Sequence, residues 1–86
     1  MVRYKRLPPD LYRMIKRSLA EDYILSQYPP YHDAMLDSFE LVSVDGSVPV
    51  FYYKDGTLEI PGEESSRMFR RVVRRVNGLV SKKDYI

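Results

Sequence analysis

The chain lacks the side chains on which most metal sites and covalent cross-links depend. It has no cysteine and no tryptophan, and its one histidine is His32. The absence of cysteine excludes disulfide bonds and thiolate metal ligands, and a single imidazole supplies one ligand where a metal site needs several. We therefore expect no metal site and no cofactor.

Motifs for catalysis are also missing. The four glycines fall at predicted turns and helix ends, without the spacing of a phosphate-binding loop. Ser65 and Ser66 stand where a helix is predicted to begin, a position at which serine caps the backbone, and no base is near them in sequence. We expect a protein that is not an enzyme and has no small-molecule substrate.

Long apolar runs are absent as well. No stretch approaches the ~18 apolar residues of a membrane span, and the basic N-terminus leads into Pro8-Pro9 instead of an apolar signal segment. We expect a cytoplasmic protein without a membrane partner. Asparagine and glutamine occur once each while 30% of the residues are charged, a balance that is typical of thermophilic proteins.

The length of 86 residues predicts one small domain over 1–86, with residues 81–86 as a flexible tail. Apolar residues at steps of three and four predict a first helix from Pro8-Pro9-Asp10 to about Tyr28, where Pro29-Pro30 ends it. A second helix is predicted to open at residues 63–66, where acidic side chains suit its positive end, and to end at Asn77-Gly78. The stretch 31–37 could form a short helical turn or an ordered loop and stays unassigned.

Three strands are predicted near 39–44, 47–53 and 57–60, separated by the turn signals Asp45-Gly46 and Asp55-Gly56. A two-residue first turn pairs Leu41 with Val50 and Phe39 with Tyr52. A three-residue second turn with a left-handed Gly56 pairs Tyr52 with Leu58. Pro49 fits such a strand only at a bulge or an unpaired position. One face then forms the core, with Phe39, Leu41, Val48, Val50, Tyr52, Leu58 and Ile60.

The predicted fold class is α+β in the order α-β-β-β-α, with two helices packed on one face of a three-stranded antiparallel meander. This order resembles that of double-stranded RNA-binding domains. Those domains are expected to carry lysines at the start of the second helix, where this chain has Glu63 and Glu64.

Charge is divided along the chain. Residues 1–17 and 67–86 are strongly basic, while residues 18–66 hold ten acidic side chains and one basic one. Two helices on one sheet face would combine their basic sides into a surface that attracts phosphates. The alternative is an ion-pair network with the acidic middle of the chain. The candidate nucleic-acid-binding residues are Arg13, Lys16, Arg17, Arg67, Arg70, Arg71, Arg74 and Arg75.

The second sheet face is the other candidate surface. It is predicted to carry apolar residues that are too many to stay wholly exposed to water, and Val42, Val44, Phe51 and Tyr53 form a candidate partner interface. The leading hypothesis is a nucleic-acid-associated accessory protein that binds RNA or DNA phosphates through its basic helices. The alternative is a protein-interaction or scaffold subunit, as a homodimer or in a larger complex, that uses the apolar sheet face.

Overall fold

A computed structural model describes residues 1–82 of the chain, with side chains to Val80. The elements are β1 (Val2–Tyr4), α1 (Pro9–Asp22), β2 (Ile24–Tyr28), β3 (Met35–Ser43), β4 (Gly46–Tyr53), β5 (Leu58–Ile60) and α2 (Arg67–Lys82). The α+β class and the β3-β4-β5 meander are confirmed. The sheet is larger than predicted, because β1 and β2 extend it to five antiparallel strands in the order β1-β5-β4-β3-β2. Neither described helix has the length and apolarity needed to cross a membrane.

The prediction that the first helix reaches Tyr28 is wrong. Tyr23 has an extended backbone, and its N–H makes the last helical hydrogen bond, to the Leu19 carbonyl at 3.0 Å. The following five residues form β2 and pair with β3, with Leu25 opposite Leu41. Pairing with a strand that comes later in the chain therefore outweighs the local helical tendency of this segment.

β1 brings the N-terminus across the sheet to pair with β5, with Val2 opposite Ile60. Beyond β1 the chain is fixed to the β4–β5 turn, since the Leu7 N–H donates to the Gly56 carbonyl at 2.9 Å. The Tyr52 hydroxyl donates to the Leu7 carbonyl at 2.7 Å. Gly56 has a φ of +90°, and a Cβ there would lie 3.1 Å from the Arg6 Cα, so this close crossing favours glycine.

The two hairpins differ in how well their register was predicted. The second is confirmed, with Tyr52 opposite Leu58 and a left-handed Gly56 in the turn. The first is wrong by two residues, because the turn consists of Val44 and Asp45 and the observed pair is Leu41 with Val48. The Asp45 N–H donates to the Ser43 hydroxyl at 3.1 Å, which helps to stabilise this turn. A two-residue shift keeps every side chain on its predicted face.

Pro49 lies within β4, opposite Glu40 of β3. The pairing of β4 with β5 covers Phe51 and Tyr52, and β5 ends at Ile60. Pro49 therefore lies where β4 has a paired neighbour on one side, which suits a residue without an N–H.

Both helices cover the predicted core face. Its seven sheet residues are each 3% exposed or less. The ring of Tyr12 in α1 stacks on Tyr52 at 3.9 Å between centroids. The two helices bury one apolar stripe each, consisting of Leu11, Tyr12, Ile15 and Leu19 in α1 and Met68, Phe69, Val72, Val76 and Val80 in α2.

α2 continues beyond Asn77-Gly78, so the predicted end of the second helix is wrong. The side-chain oxygen of Asn77 accepts a hydrogen bond from the Tyr4 hydroxyl, and Val80 is buried in the core. Burial raises the pKa of Tyr4 to about 12. Of the predicted tail, Ser81 and Lys82 belong to α2, and residues 83–86 lie outside the described part.

Substitution of two glycines tests this arrangement of α2. Gly78→Ala is expected to raise the free energy of unfolding by about 0.5–1 kcal/mol, because alanine favours a helix interior and the new Cβ contacts nothing within 4 Å. Gly62→Ala is expected to lower it by about 2 kcal/mol or more, because its Cβ would lie 2.2 Å from the buried Phe69 ring. Urea unfolding measures both changes. A destabilised Gly78→Ala variant would contradict a helix through residue 78.

Candidate nucleic-acid interface

The two helices lie side by side and are joined by Arg75. Its guanidinium donates to the carbonyl and hydroxyl oxygens of Ser18, both at 3.0 Å, and pairs with the Asp22 carboxylate. The hydrogen bond to Asp22 raises the pKa of Arg75. Arg75 is thus a link between α1 and α2, and it makes three hydrogen bonds within the chain.

Lys16 is also engaged inside the fold. Its ammonium donates to Asp37 Oδ2 at 2.8 Å and to Gln27 Oε1 at 2.6 Å, and it lies 5.1 Å from the centroid of the Phe39 ring. The Lys16 side chain is 26% exposed. It therefore fixes α1 to β2 and β3 instead of pointing outward as predicted for a phosphate ligand.

Asp37 is the centre of the polar network that holds Lys16. The Tyr12 hydroxyl donates to it, and Gln27 Nε2 donates to Asp37 Oδ1 at 2.5 Å. Burial by itself raises the pKa of the Asp37 carboxyl, but the hydrogen bonds from Lys16, Tyr12 and Gln27 outweigh it and hold the pKa below its ordinary value.

The other six candidate residues are exposed on the outer sides of the helices, and three of these have partners. Arg13 pairs with Asp10, the Arg71 guanidinium lies 3.8 Å from the Asp45 carboxylate, and Arg70 donates to the Glu64 carbonyl. Within residues 1–82, Arg17, Arg67 and Arg74 form no ion pair. The structure thus combines the two arrangements considered from the sequence, internal ion pairs and an outward basic surface. The six residues are Arg13, Arg17, Arg67, Arg70, Arg71 and Arg74.

α2 carries the more concentrated positive charge of the two helices. Its sixteen residues include five arginines and no acidic residue. α1 balances its basic residues with Asp10, Glu21 and Asp22, all exposed. The outer side of α2 is therefore the strongest candidate for binding an anion.

A loop covers part of the opposite sheet face. The connection between β2 and β3, which the sequence left unassigned, brings the Tyr31 ring edge-on against Phe51 at 5.5 Å between centroids. The rings of His32 and Tyr53 lie 5.8 Å apart. Phe51 and Tyr53, predicted as partner-binding residues, are thus half-buried and lie against residues of their own chain.

The remaining part of the predicted partner interface lies at the β3–β4 turn. Val44 is fully exposed at 104%, and Val42 is half-buried. Ile24 of β2 lies opposite Val42 and is 70% exposed. Sequence reasoning missed Ile24 because the segment was assigned to a helix, and residues 24–28 lack the strict alternation of apolar and polar residues that would have indicated a strand.

The acidic residues of this face are paired. Glu59 accepts hydrogen bonds from Arg3 at 2.8 Å and from the Tyr53 hydroxyl at 3.1 Å. Glu40 accepts one from the Tyr28 hydroxyl at 3.3 Å. These carboxylates face the same side as Phe51, so the open face is unfavourable for a phosphate chain.

Comparison with protein-family models, curated proteins and solved structures found no match to this chain. In the part of the chain that the structure describes, no group of three or more His, Cys, Asp or Glu side chains is placed to hold a metal ion. The basic helical side and the apolar end of the sheet are therefore the features from which function can be inferred.

Asp37→Asn tests the network that removes Lys16 from the basic surface. Because the folded pKa of Asp37 is lowered, its carboxylate stabilises the fold near neutral pH, and this contribution is lost as the pH falls through the folded pKa. The variant is expected to lose about 1–3 kcal/mol of unfolding free energy at pH 7 and to lose less than the parent on acidification. Chemical unfolding at several pH values measures this.

The matched control is Asp10→Asn, which removes a carboxylate whose side chain is 91% exposed. It is expected to change stability by less than about 0.5 kcal/mol. Equal losses in the two variants would show that the Asp37 network has no special role.

Proposed function

We propose that the chain is a non-enzymatic, nucleic-acid-associated accessory protein that binds the phosphates of RNA or DNA through the outer side of α2. The observation that supports this most directly is the composition of α2, with five arginines and no acidic residue. Four of the five point away from the core and are exposed to solvent, namely Arg67, Arg70, Arg71 and Arg74.

The spacing of these arginines suits a phosphate chain. Residues 67–74 extend over about 10 Å of helix axis at 1.5 Å per residue, enough to contact more than one phosphate. A guanidinium group remains charged and can donate two parallel hydrogen bonds to phosphate oxygens. Arg67 and Arg71, like Arg70 and Arg74, are four residues apart and repel each other by a few tenths of a kcal/mol. A bound phosphate would relieve this repulsion.

α1 contributes a smaller part of the same surface. Because Arg75 holds α1 beside α2 on one sheet face, Arg13 and Arg17 are exposed on the same side of the molecule. Lys16 and Arg75 are excluded from the proposed contacts because their donors bind Asp37, Gln27, Ser18 and Asp22.

Charge reversal on α2 tests the proposal. Arg67→Glu/Arg74→Glu removes two exposed charges from the proposed surface, and both side chains lie away from the core. Binding of labelled RNA and double-stranded DNA is to be measured over a series of salt concentrations. The double variant is expected to bind at least about ten times more weakly and to lose about two units of the slope of log affinity against log salt.

The control is Lys5→Glu/Lys54→Glu, which changes the net charge equally at two exposed positions outside the helices. It is expected to keep the slope of the parent. The same loss in both double variants would indicate an effect of net charge alone, and absence of binding by the parent would contradict the proposal.

A second candidate function is that of a protein-interaction or scaffold subunit that uses the apolar end of the sheet. The exposure of Val44 and Ile24 favours it, because two large apolar side chains flank one shallow groove. Tyr23, Val42 and Ser43 line the same groove, together with the acidic Glu21 and Asp22. A protein partner would remove this apolar surface from water.

A further inference from the structure

The five-stranded sheet has one edge without the usual protection. Its edge strands are β1 and β2, and no strand among residues 1–82 pairs with the outer edge of β2. Proteins protect edge strands with charged residues, proline, bulges or short length. β1 has three residues and carries Arg3, whereas the five residues Ile24–Tyr28 of β2 include no charged residue and no proline. The outer edge of β2 is therefore available for pairing with another strand.

We propose that β2 pairs antiparallel with β2 of a second copy, about a two-fold axis at Ser26. Ser26 then faces its own equivalent, Ile24 faces the second copy's Tyr28, and Leu25 faces the second copy's Gln27. The two sheets become one sheet of ten strands. This inference rests on the second candidate function, to which it assigns a partner, and it is independent of nucleic-acid binding.

The side chains of the open face favour this register. Ile24 is 70% exposed and Tyr28 is 39% exposed, and each would cover the other across the interface. Ser26 is small, so the two copies can approach closely at the axis. An axis at Leu25 would place Tyr28 opposite Asp22, and an axis at Gln27 would place Ile24 opposite Pro30. The Ser26 register alone among these three brings the two exposed apolar side chains together.

The charges beside β2 do not oppose this symmetry. The strand begins next to the exposed Glu21 of α1, and its end lies beside Lys16, whose charge is matched by Asp37 at 2.8 Å. In an antiparallel pair, Glu21 of each copy therefore faces an end of β2 whose charges are already paired.

The pairing also has a consequence for the basic surface. Opposite residues in an antiparallel pair share a face, so the helices of both copies lie on the same side of the joined sheet. The two α2 helices would then present their arginines to one side, which increases the number of phosphates that one assembly can contact.

Single cysteines test the register, because the chain has none of its own. With Ser26→Cys at the axis, the two Cα atoms would be about 4.5–5.5 Å apart, within the range of a disulfide. Mild oxidation is expected to link most of the protein into dimers in buffer, and little of it in urea. Ser47→Cys, exposed on β4 on the same face, is the control and is expected to link at least about tenfold more slowly.

Ile24→Cys distinguishes the registers. The two cysteines would be four residues apart along the strands, about 13 Å, so no link is expected. The double variant Ile24→Cys/Tyr28→Cys is expected to link, since position 24 of each copy faces position 28 of the other. Linking of Ile24→Cys alone at the rate of Ser26→Cys would overturn the proposed register.

The oligomeric state without cross-linking provides an independent test. In sedimentation equilibrium of the parent without nucleic acid, a dimer is expected, and Ser26→Lys is expected to shift it to monomer because two long side chains would replace two small ones at the axis, where the strands approach closely. Within one chain the new ammonium group lies opposite Glu40, so the fold should be retained. Ser47→Lys is the control and is expected to remain dimeric.

A parent that is monomeric at every concentration would overturn the inference, as would equal cross-linking of the Ser26→Cys and Ser47→Cys variants. Nucleic-acid binding by such a monomer would leave the proposed function of α2 standing. A dimer that ignores Ser26→Lys would show that the copies meet at another surface.

Discussion

The alternation of apolar residues along β3, β4 and β5 is the constraint on which the rest of the structure depends. Seven side chains on one sheet face are almost wholly removed from water, and residues 1–82 provide only two helices with which to cover them. Each helix has a single apolar stripe, so neither could cover the face alone. Both helices therefore lie on the same side of the sheet, and their polar sides both face outward.

This arrangement separates the basic residues by their position around each helix. Lys16 and Arg75 stand at the sides of their helices, where they meet acidic or hydroxyl groups of a neighbouring element. Arg17, Arg67 and Arg74 are exposed on the outer sides, and no ion pair involves them in the described chain. The same packing that requires Arg75 to join the helices thus leaves the outer arginines available for a ligand.

The core face could be predicted because a period of two is unaffected by a two-residue shift in register. The register of the first hairpin could not be predicted, because Asp45-Gly46 is a stronger local turn signal than Val44-Asp45, where the turn forms. β2 was missed because residues 24–28 do not alternate between apolar and polar side chains and directly follow the helical spacing of α1. Where α2 continues past its predicted end, Asn77 contacts Tyr4, 73 residues away in the chain. Non-local contacts of this kind cannot be obtained from periodicity.

The candidate sites also depend on contacts between elements that the spacing of residues could not predict. The spacing of the arginines predicted a basic helical side, but the engagement of Lys16 and Arg75 depends on Asp37, Gln27 and Ser18, which belong to other elements. The apolar sheet face was predicted from alternation. The loop that carries Tyr31 and covers part of this face was not predicted, because it has no periodic pattern.

The loop also bears on how two copies could meet. A face-to-face contact over the centre of the sheet would have to displace Tyr31 and His32 from Phe51 and Tyr53, and it would bring the carboxylates of Glu40 and Glu59 into a low-dielectric interface. Pairing at the edge of β2 avoids both costs, because its new hydrogen bonds join backbone groups and its five residues carry no charge. Edge pairing is therefore the less costly way to cover Ile24, and it leaves the arginine side of α2 exposed.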